Sequence, residues 1–237
     1  MDEGSLRLDA DALDANDPRL AWLLANATAW RRANEKTLVF VAHRETLDML
    51  RDALSARAQL ASGVFHEELS AVRRDTEVAR FRAADGPSLL VSTEAGGEGR
   101  NLQFCRIVVN YDLPWNPMKL EQRIGRVHRL GQQHPVRVIN LAARGTIEAY
   151  VLEILDRKIR MFELVVGEME EILGTWQPHG SFEDEIFRRW VDSRTPAARK
   201  RRFAELAQNL LVARRLYQTA KEQEGWLYPT VQKEGDD

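Results

Sequence analysis

A single cysteine, Cys105, stands among 237 residues, so an internal disulfide framework is excluded, and the five histidines form no Cys/His cluster of metal-site spacing. No apolar run approaches the roughly 20 residues of a membrane span, and no N-terminal signal peptide is legible. The expectation is a cytoplasmic protein without membrane contact. There is no Gly-Lys dipeptide anywhere, and hence no G-x-x-x-x-G-K-[ST] phosphate loop. An acidic metal-binding box at the end of an apolar strand is missing too. Asp184-Glu185-Ile186-Phe187 has the letters of one, but Ser181-Phe182-Glu183 before it is no buried strand. Without those two parts, nucleoside-triphosphate hydrolysis by these residues alone is not expected.

Charge of one sign is scarce overall, with a formal net charge of −2, but it is unevenly spread. Residues 1–17 hold six acids against the one base Arg7, and residues 185–215 hold nine bases against three acids. Net charge therefore does not announce a nucleic-acid binder, although the second stretch has the sign to meet phosphates.

What is present is an alternation of strand and helix. Asp17-Pro18 reads as an N-cap and N1 proline opening a helix through about Arg32. Leu38–Ala42 (LVFVA) is a short, wholly apolar run of the kind found in parallel strands covered on both faces. A helix with Leu47, Leu50 and Leu54 inward follows. A strand at Ser62–Phe65 precedes a charged helix over Ser70–Arg82, anchored by Val72, Val78 and Phe81. Asp85-Gly86-Pro87 is a turn. Further strands are predicted at Ser88–Ser92, Arg106–Asn110 and Val136–Leu141, with a short helix over Pro117–Leu130. This order predicts an open, mostly parallel α/β sheet flanked by helices.

Beyond Thr146 the period changes. Leu155, Ile159, Phe162, Val166, Met169 and Leu173 form the stripe of one long amphipathic helix ended by Gly174, and Pro178-His179-Gly180-Ser181 reads as a linker. Phe203, Leu206, Leu210, Ala213, Tyr217 and Ala220 form a second stripe, assigned to packing within the chain rather than to a coiled coil.

In open α/β sheets, ligands bind beyond the carboxyl ends of the strands. Three loops leave such ends: His43-Arg44; Thr93–Gln103 (TEAGGEGRNLQ); and Asp112–Pro117 (DLPWNP), which feeds a helix carrying Gln122–Gln132 (QRIGRVHRLGQ). Arg126 and Arg129 are three apart, so on a helix they project together, with donor forks suited to phosphate. Glycines at 96, 97 and 99 let backbone amides approach an anion, though a tight turn is the plainer explanation.

Taken together, these loops resemble the second RecA-like lobe of superfamily-2 helicases, most closely the Swi/Snf-like branch, with the bacterial RNA-polymerase-associated ATPases a good likeness. Thr37–Leu50 is similar to helicase motif IV, Ser92–Gln103 to motif V and Gln122–Gln132 to motif VI, with YDLPWNP ahead of the last. The resemblance implies a RecA-like lobe over residues 17–155, between an acidic lead-in (1–16) and a helical extension (156–228) with a polar tail (229–237). It implies that Arg126 and Arg129 are arginine fingers to the β/γ-phosphates of ATP, with Gln122 lining the same cleft. Gly97 and Gly99 would sense the nucleotide. Arg44, Thr93, Glu94 and Gly96 would lie beside the nucleic-acid backbone. Glu98 and Arg100 depart from the leucines commoner in eukaryotic remodellers, which leaves the motif V side chains facing ATP unassigned.

The partners implied are double-stranded DNA, RNA polymerase and a first RecA-like lobe, from another chain or the rest of a split gene, that would bear the Mg2+ ligands for ATP. The alternative is a non-catalytic module holding nucleic acid or a partner. Plainer roles stand beside the rest: His128 as a surface contact, His66 as a loop residue facing DNA or solvent, Trp115 as a packing anchor, Arg199–Arg202 as a solvated helix face, and Cys105 as inert.

Overall fold

Asp17 caps the first helix as its sequence predicts, its carboxylate accepting from the Arg19 amide at 2.9 Å with Pro18 in the first turn. The computed structural model describes residues 17–94, 102–128, 132, 134–158, 168–176 and 180–227. Among the described residues the chain runs α1 (Pro18–Arg32), β1 (Thr37–Val41), α2 (Arg44–Ala58), β2 (Ser62–Phe65), α3 (Ala71–Arg82), β3 (Leu89–Thr93), β4 (Ile107–Asn110), α4 (Pro117–Gly125) and β5 (Arg137–Asn140). Helices α5 (Ile147–Glu153), α6 (Glu168–Thr175), α7 (Phe182–Val191) and α8 (Pro196–Leu227) follow. The chain divides into two units, Met1–Pro114 with Lys119–Ala142, and Trp115–Met118 with Ala143–Asp237.

The first unit is built on a five-stranded, wholly parallel sheet in the order β2-β3-β1-β4-β5. Parallel strands need helical crossovers, which cover both faces and make the strands apolar on both sides. Side chains alternate accordingly. Val39, Val41, Leu89, Val91, Ile107 and Val109 join Leu20, Leu23 and Trp30 of α1 and Leu47, Leu50 and Leu54 of α2 in one core. Leu38, Phe40, Leu90 and Val108 point the other way and meet Phe81 of α3, Phe65 and Val127. Each fully buried leucine contributes roughly 2 kcal/mol, so the two cores rather than helix propensity hold these elements.

Three expectations need correction. Val72 is 76% exposed rather than an anchor of α3. It lies nine residues before Phe81, and nine steps of 100° put it on the opposite side of the helix. The helix expected over Pro117–Leu130 stops at Gly125, and Arg126 to His128 form a turn. The long helix expected after Thr146 is interrupted by a π-helical stretch, Ile154–Lys158. A wider turn shifts the helical register, and Ile154 and Leu155 are both buried; Ile159, Phe162 and Val166 lie outside the described residues, beyond which Ile172 rather than Leu173 is buried beside Met169.

In the second unit, Tyr150 of α5 packs its ring 6.0 Å from Trp190 of α7 and 5.0 Å from Phe203 of α8. The α8 stripe is buried through Phe203, Leu206, Leu210 and Ala213 and then opens, Ala220 being exposed. Asp184 is a helix cap: it accepts from the Ser181 amide at 3.0 Å while Ser181 Oγ accepts from the Asp184 amide at 3.1 Å. No described helix is long and apolar enough to cross a membrane.

Candidate functional site

Because the strands are parallel, their carboxyl ends share one edge of the sheet, and every loop noted in the sequence leaves from that edge. Past β1, Arg44 opens α2. Its Nε donates to Asp48 Oδ2 at 2.9 Å, and its Nη1 donates to Glu68 Oε2 at 3.2 Å. The same Nη1 lies 2.6 Å from His66 Nδ1 and 2.8 Å from His66 Nε2. His66, expected in a loop facing DNA or solvent, is instead only 4% exposed, directly past β2. Burial, and then the neighbouring Arg44 cation, push its pKa below the ordinary imidazole value, so the ring sits neutral as an acceptor. Thr93 closes β3, and its Oγ1 donates to Glu67 Oε2 at 2.7 Å.

The neutral His66 has a measurable consequence. The unfolded chain takes up a proton near pH 6.5, the ordinary value, whereas the folded site takes it up only at lower pH. Stability is therefore complete above that value and is lost as pH falls below it. The unfolding temperature is expected to drop between about pH 7.5 and pH 5.5, and to drop less in His66→Gln. Parallel pH profiles for the two proteins would contradict this.

On the other side of β1, one side chain organises the edge. Arg123, in the last turn of α4, is 4% exposed. Its Nη1 donates to Asn110 Oδ1 at 2.9 Å and to the Asp112 carbonyl at 2.7 Å, and its Nη2 donates to Glu94 Oε1 at 2.7 Å. The guanidinium lies 5.0 Å from the centre of the Phe40 ring. Lys119 Nζ approaches Glu94 Oε2 at 3.4 Å, and Asn110 passes the network to Asn140 Oδ1 at 2.7 Å. Burial lowers the Arg123 pKa, and Glu94 opposes the shift. Arg123 has no role legible in the sequence, although it sits within QRIGR one residue past Gln122. An arginine that near an apolar α4 face is a legible signal only once the sheet order is known.

Gln122 is exposed on α4 and Arg126 is half-buried in the turn beyond it. That turn is fixed on both sides. The Leu102 amide donates to the Arg126 carbonyl at 3.2 Å, and Gln132 Nε2 donates to the carbonyls of Gln103 at 2.8 Å and Val127 at 3.1 Å. The end of the glycine loop and the arginine turn are thus joined by backbone. Arg129, Gly96, Gly97 and Gly99 lie outside the described residues. Trp115 donates its Nε1 to Glu148 Oε1 at 3.1 Å, and Cys105 is fully buried, with burial raising its thiol pKa far above the usual range.

A model of the helicase conserved C-terminal domain matches residues 19–131. The "SWI2/SNF2 ATPase core in complex with dsDNA" of Sulfolobus solfataricus superposes with a TM-score of 0.50 at 25% identity, over 61% of this chain and 30% of that one. This chain carries the C-terminal lobe of a Swi/Snf-like superfamily-2 helicase. The "Uncharacterized ATP-dependent helicase YqhH" of Bacillus subtilis (strain 168) is 38% identical over 185 residues, 76% of this chain and 32% of that protein. The "RNA polymerase-associated protein RapA" of Serratia proteamaculans (strain 568) is 43% identical over 134 residues, 56% of this chain and 14% of that protein. This chain therefore spans about a third or less of the length of these curated relatives. The C-terminal part of the Fun30 ATPase domain shares the fold, with a TM-score of 0.53 at 23% identity over 58% of this chain and 45% of that one.

Proposed function

We propose that this chain supplies the second lobe of an ATP-driven translocase on double-stranded DNA, completed by a first lobe that brings a phosphate loop and the Mg2+ ligands. One observation carries most of the weight: Arg123 ties the last turn of α4 to the carboxyl edge of the sheet, with Gln122 and Arg126 beside it in sequence. The donors there suit a triphosphate. The turn is pinned at the Arg126 carbonyl, so the guanidinium extends from a fixed point of backbone, and its planar fork suits phosphate oxygens.

ATP, when bound between lobes, supplies the phosphoryl group whose transfer drives the cycle. Arg126 and Arg129 neutralise charge that develops on the transferring phosphate. Gln122 lines the cleft, and the backbone at Gly97 and Gly99 follows the nucleotide state. Arg44, Thr93, Glu94 and Gly96 border the strand that is gripped, so closing and opening of the cleft moves that grip along DNA. Relatives called RNA polymerase-associated protein make RNA polymerase the first protein partner to test. The RecA-like lobe extends over residues 17–155, and the helices beyond it form the extension.

The experiment is complementation. The purified chain alone is expected to hydrolyse ATP no faster than background, and mixing it with a phosphate-loop-bearing first lobe is expected to produce DNA-stimulated hydrolysis above either part alone. Robust Mg2+-dependent hydrolysis by the chain alone, or no stimulation by two folded lobes, would overturn this function.

A further inference from the structure

Arg44 occupies the first position of α2, at the positive end of the helix dipole, where a cation is disfavoured. Thr93 is the last residue of β3, which pairs directly with β2 on one side and with β1 on the other. A turn from His66 to Leu69, closed by the Leu69 amide on the His66 carbonyl at 3.2 Å, places Glu67 and Glu68 at its two central positions. Adjacent side chains in a turn diverge. Glu67 reaches Thr93 Oγ1 at 2.7 Å, and Glu68 reaches Arg44 Nη1 at 3.2 Å. Two neighbouring carboxylates therefore engage the two donors that the proposed function gives to the nucleic-acid backbone.

We infer that Glu67 and Glu68 are internal stand-ins for backbone phosphates, holding Thr93 and Arg44 until a DNA strand displaces them. This rests on the assignment of Arg44 and Thr93 to nucleic-acid contact. A carboxylate and a phosphate offer these donors anionic oxygens of the same kind, and arginine binds either through charge-assisted hydrogen bonds. Both acids sit on the surface, the Glu68 side chain 74% exposed, so neither is committed to the core. The hydrogen bond from Thr93 holds the Glu67 carboxyl below its ordinary pKa, keeping it ionised. Asp48 binds Arg44 through Nε, on the far side from Nη1, and Arg51 Nη1 holds Asp48 at 2.7 Å. Asp48 can thus keep the guanidinium in place while a phosphate replaces Glu68 at Nη1, which His66 also borders. An incoming strand meets two negative charges at the position it must occupy, so affinity is set below what the donors alone would give.

The test measures binding of the 237-residue chain to a short fluorescent DNA duplex at low salt, by anisotropy. Glu67→Gln/Glu68→Gln keeps side-chain shape and is expected to tighten binding by on the order of tenfold. Glu170→Gln/Glu171→Gln, which makes the same charge change at two exposed acids of α6, is expected to bind as the unaltered chain does. Equal tightening in both variants reduces the effect to net charge and overturns the inference, as does unchanged or weaker binding by the first variant. Arg44→Ala/Thr93→Val separates the two levels. If it weakens binding while the glutamate variant changes nothing, only the stand-in role fails. If it has no effect, the assignment of Arg44 and Thr93 fails, and this inference with it.

Discussion

With a phosphate-loop-bearing first lobe present, Arg126→Ala is expected to lower DNA-stimulated ATP turnover by on the order of 10³- to 10⁵-fold, roughly 4–7 kcal/mol of transition-state stabilisation. The reason is electrostatic. A permanent cation placed where charge develops acts in a water-poor cleft and needs no reorganisation at the moment of transfer. Lysine at the same position restores charge without the planar fork and is expected to recover only part of the loss. Duplex binding by the lobe should survive, because Arg44 and Thr93 leave from other strands of the sheet. The measurement pairs steady-state hydrolysis with anisotropy on the same protein. A variant that loses DNA binding and turnover together points instead to a binding module whose hydrolysis is secondary. Retention of full turnover would remove Arg126 from the chemistry.

The second large effect concerns folding. Arg123→Met keeps an unbranched apolar stem but strips three acceptors of their donor. Asn110, with no exposed surface, and Glu94, whose side chain is 34% exposed, are among them. Removing one partner of a buried ion pair costs about 3–5 kcal/mol, and partial exposure of Glu94 brings the expectation to about 3 kcal/mol. Adding Glu94→Gln removes the stranded charge and should return about 1–2 kcal/mol of that loss. Urea unfolding of the parent and the two variants, followed by amide exchange in β1, reads the first unit by itself. Single and double variants that both unfold within about 0.5 kcal/mol of the parent would show that the arginine is not a structural tie.

Such a tie explains why the site was only partly legible in the sequence. Gln122 and Arg126 announce themselves by spacing within a motif, and Arg44 and Thr93 by standing at the ends of apolar strands. Arg123 carries no local signal of burial, since an arginine on a short helix is ordinarily solvated. It is buried because β4 crosses over β1 to reach its place in the sheet and brings Asn110 and Asp112 beneath α4. His66 is similar. A polar HEE run after a strand reads as a solvated loop, and only the neighbouring Arg44 turns the ring into a buried acceptor. The helix ending at Gly125 also escaped pattern reading: Val127 is drawn into the core around Phe40 and Phe81, and the Arg126 carbonyl is taken by Leu102, which stops the helical ladder.

What the residues determined by themselves is local. Apolar runs of four or five residues, an N-capping Asp-Pro and turn chemistry at Asp85-Gly86-Pro87 set the alternation of strand and helix, because each depends on neighbours within a few positions. Strand order, the burial of Arg123 and His66 and the meeting of two glutamates with Arg44 and Thr93 were decided by tertiary structure. Those features join residues well separated along the chain, such as Arg44 with His66, 22 positions apart, and Asn110 with Asn140, 30 apart, and their energies exist only when the sheet has brought the partners together.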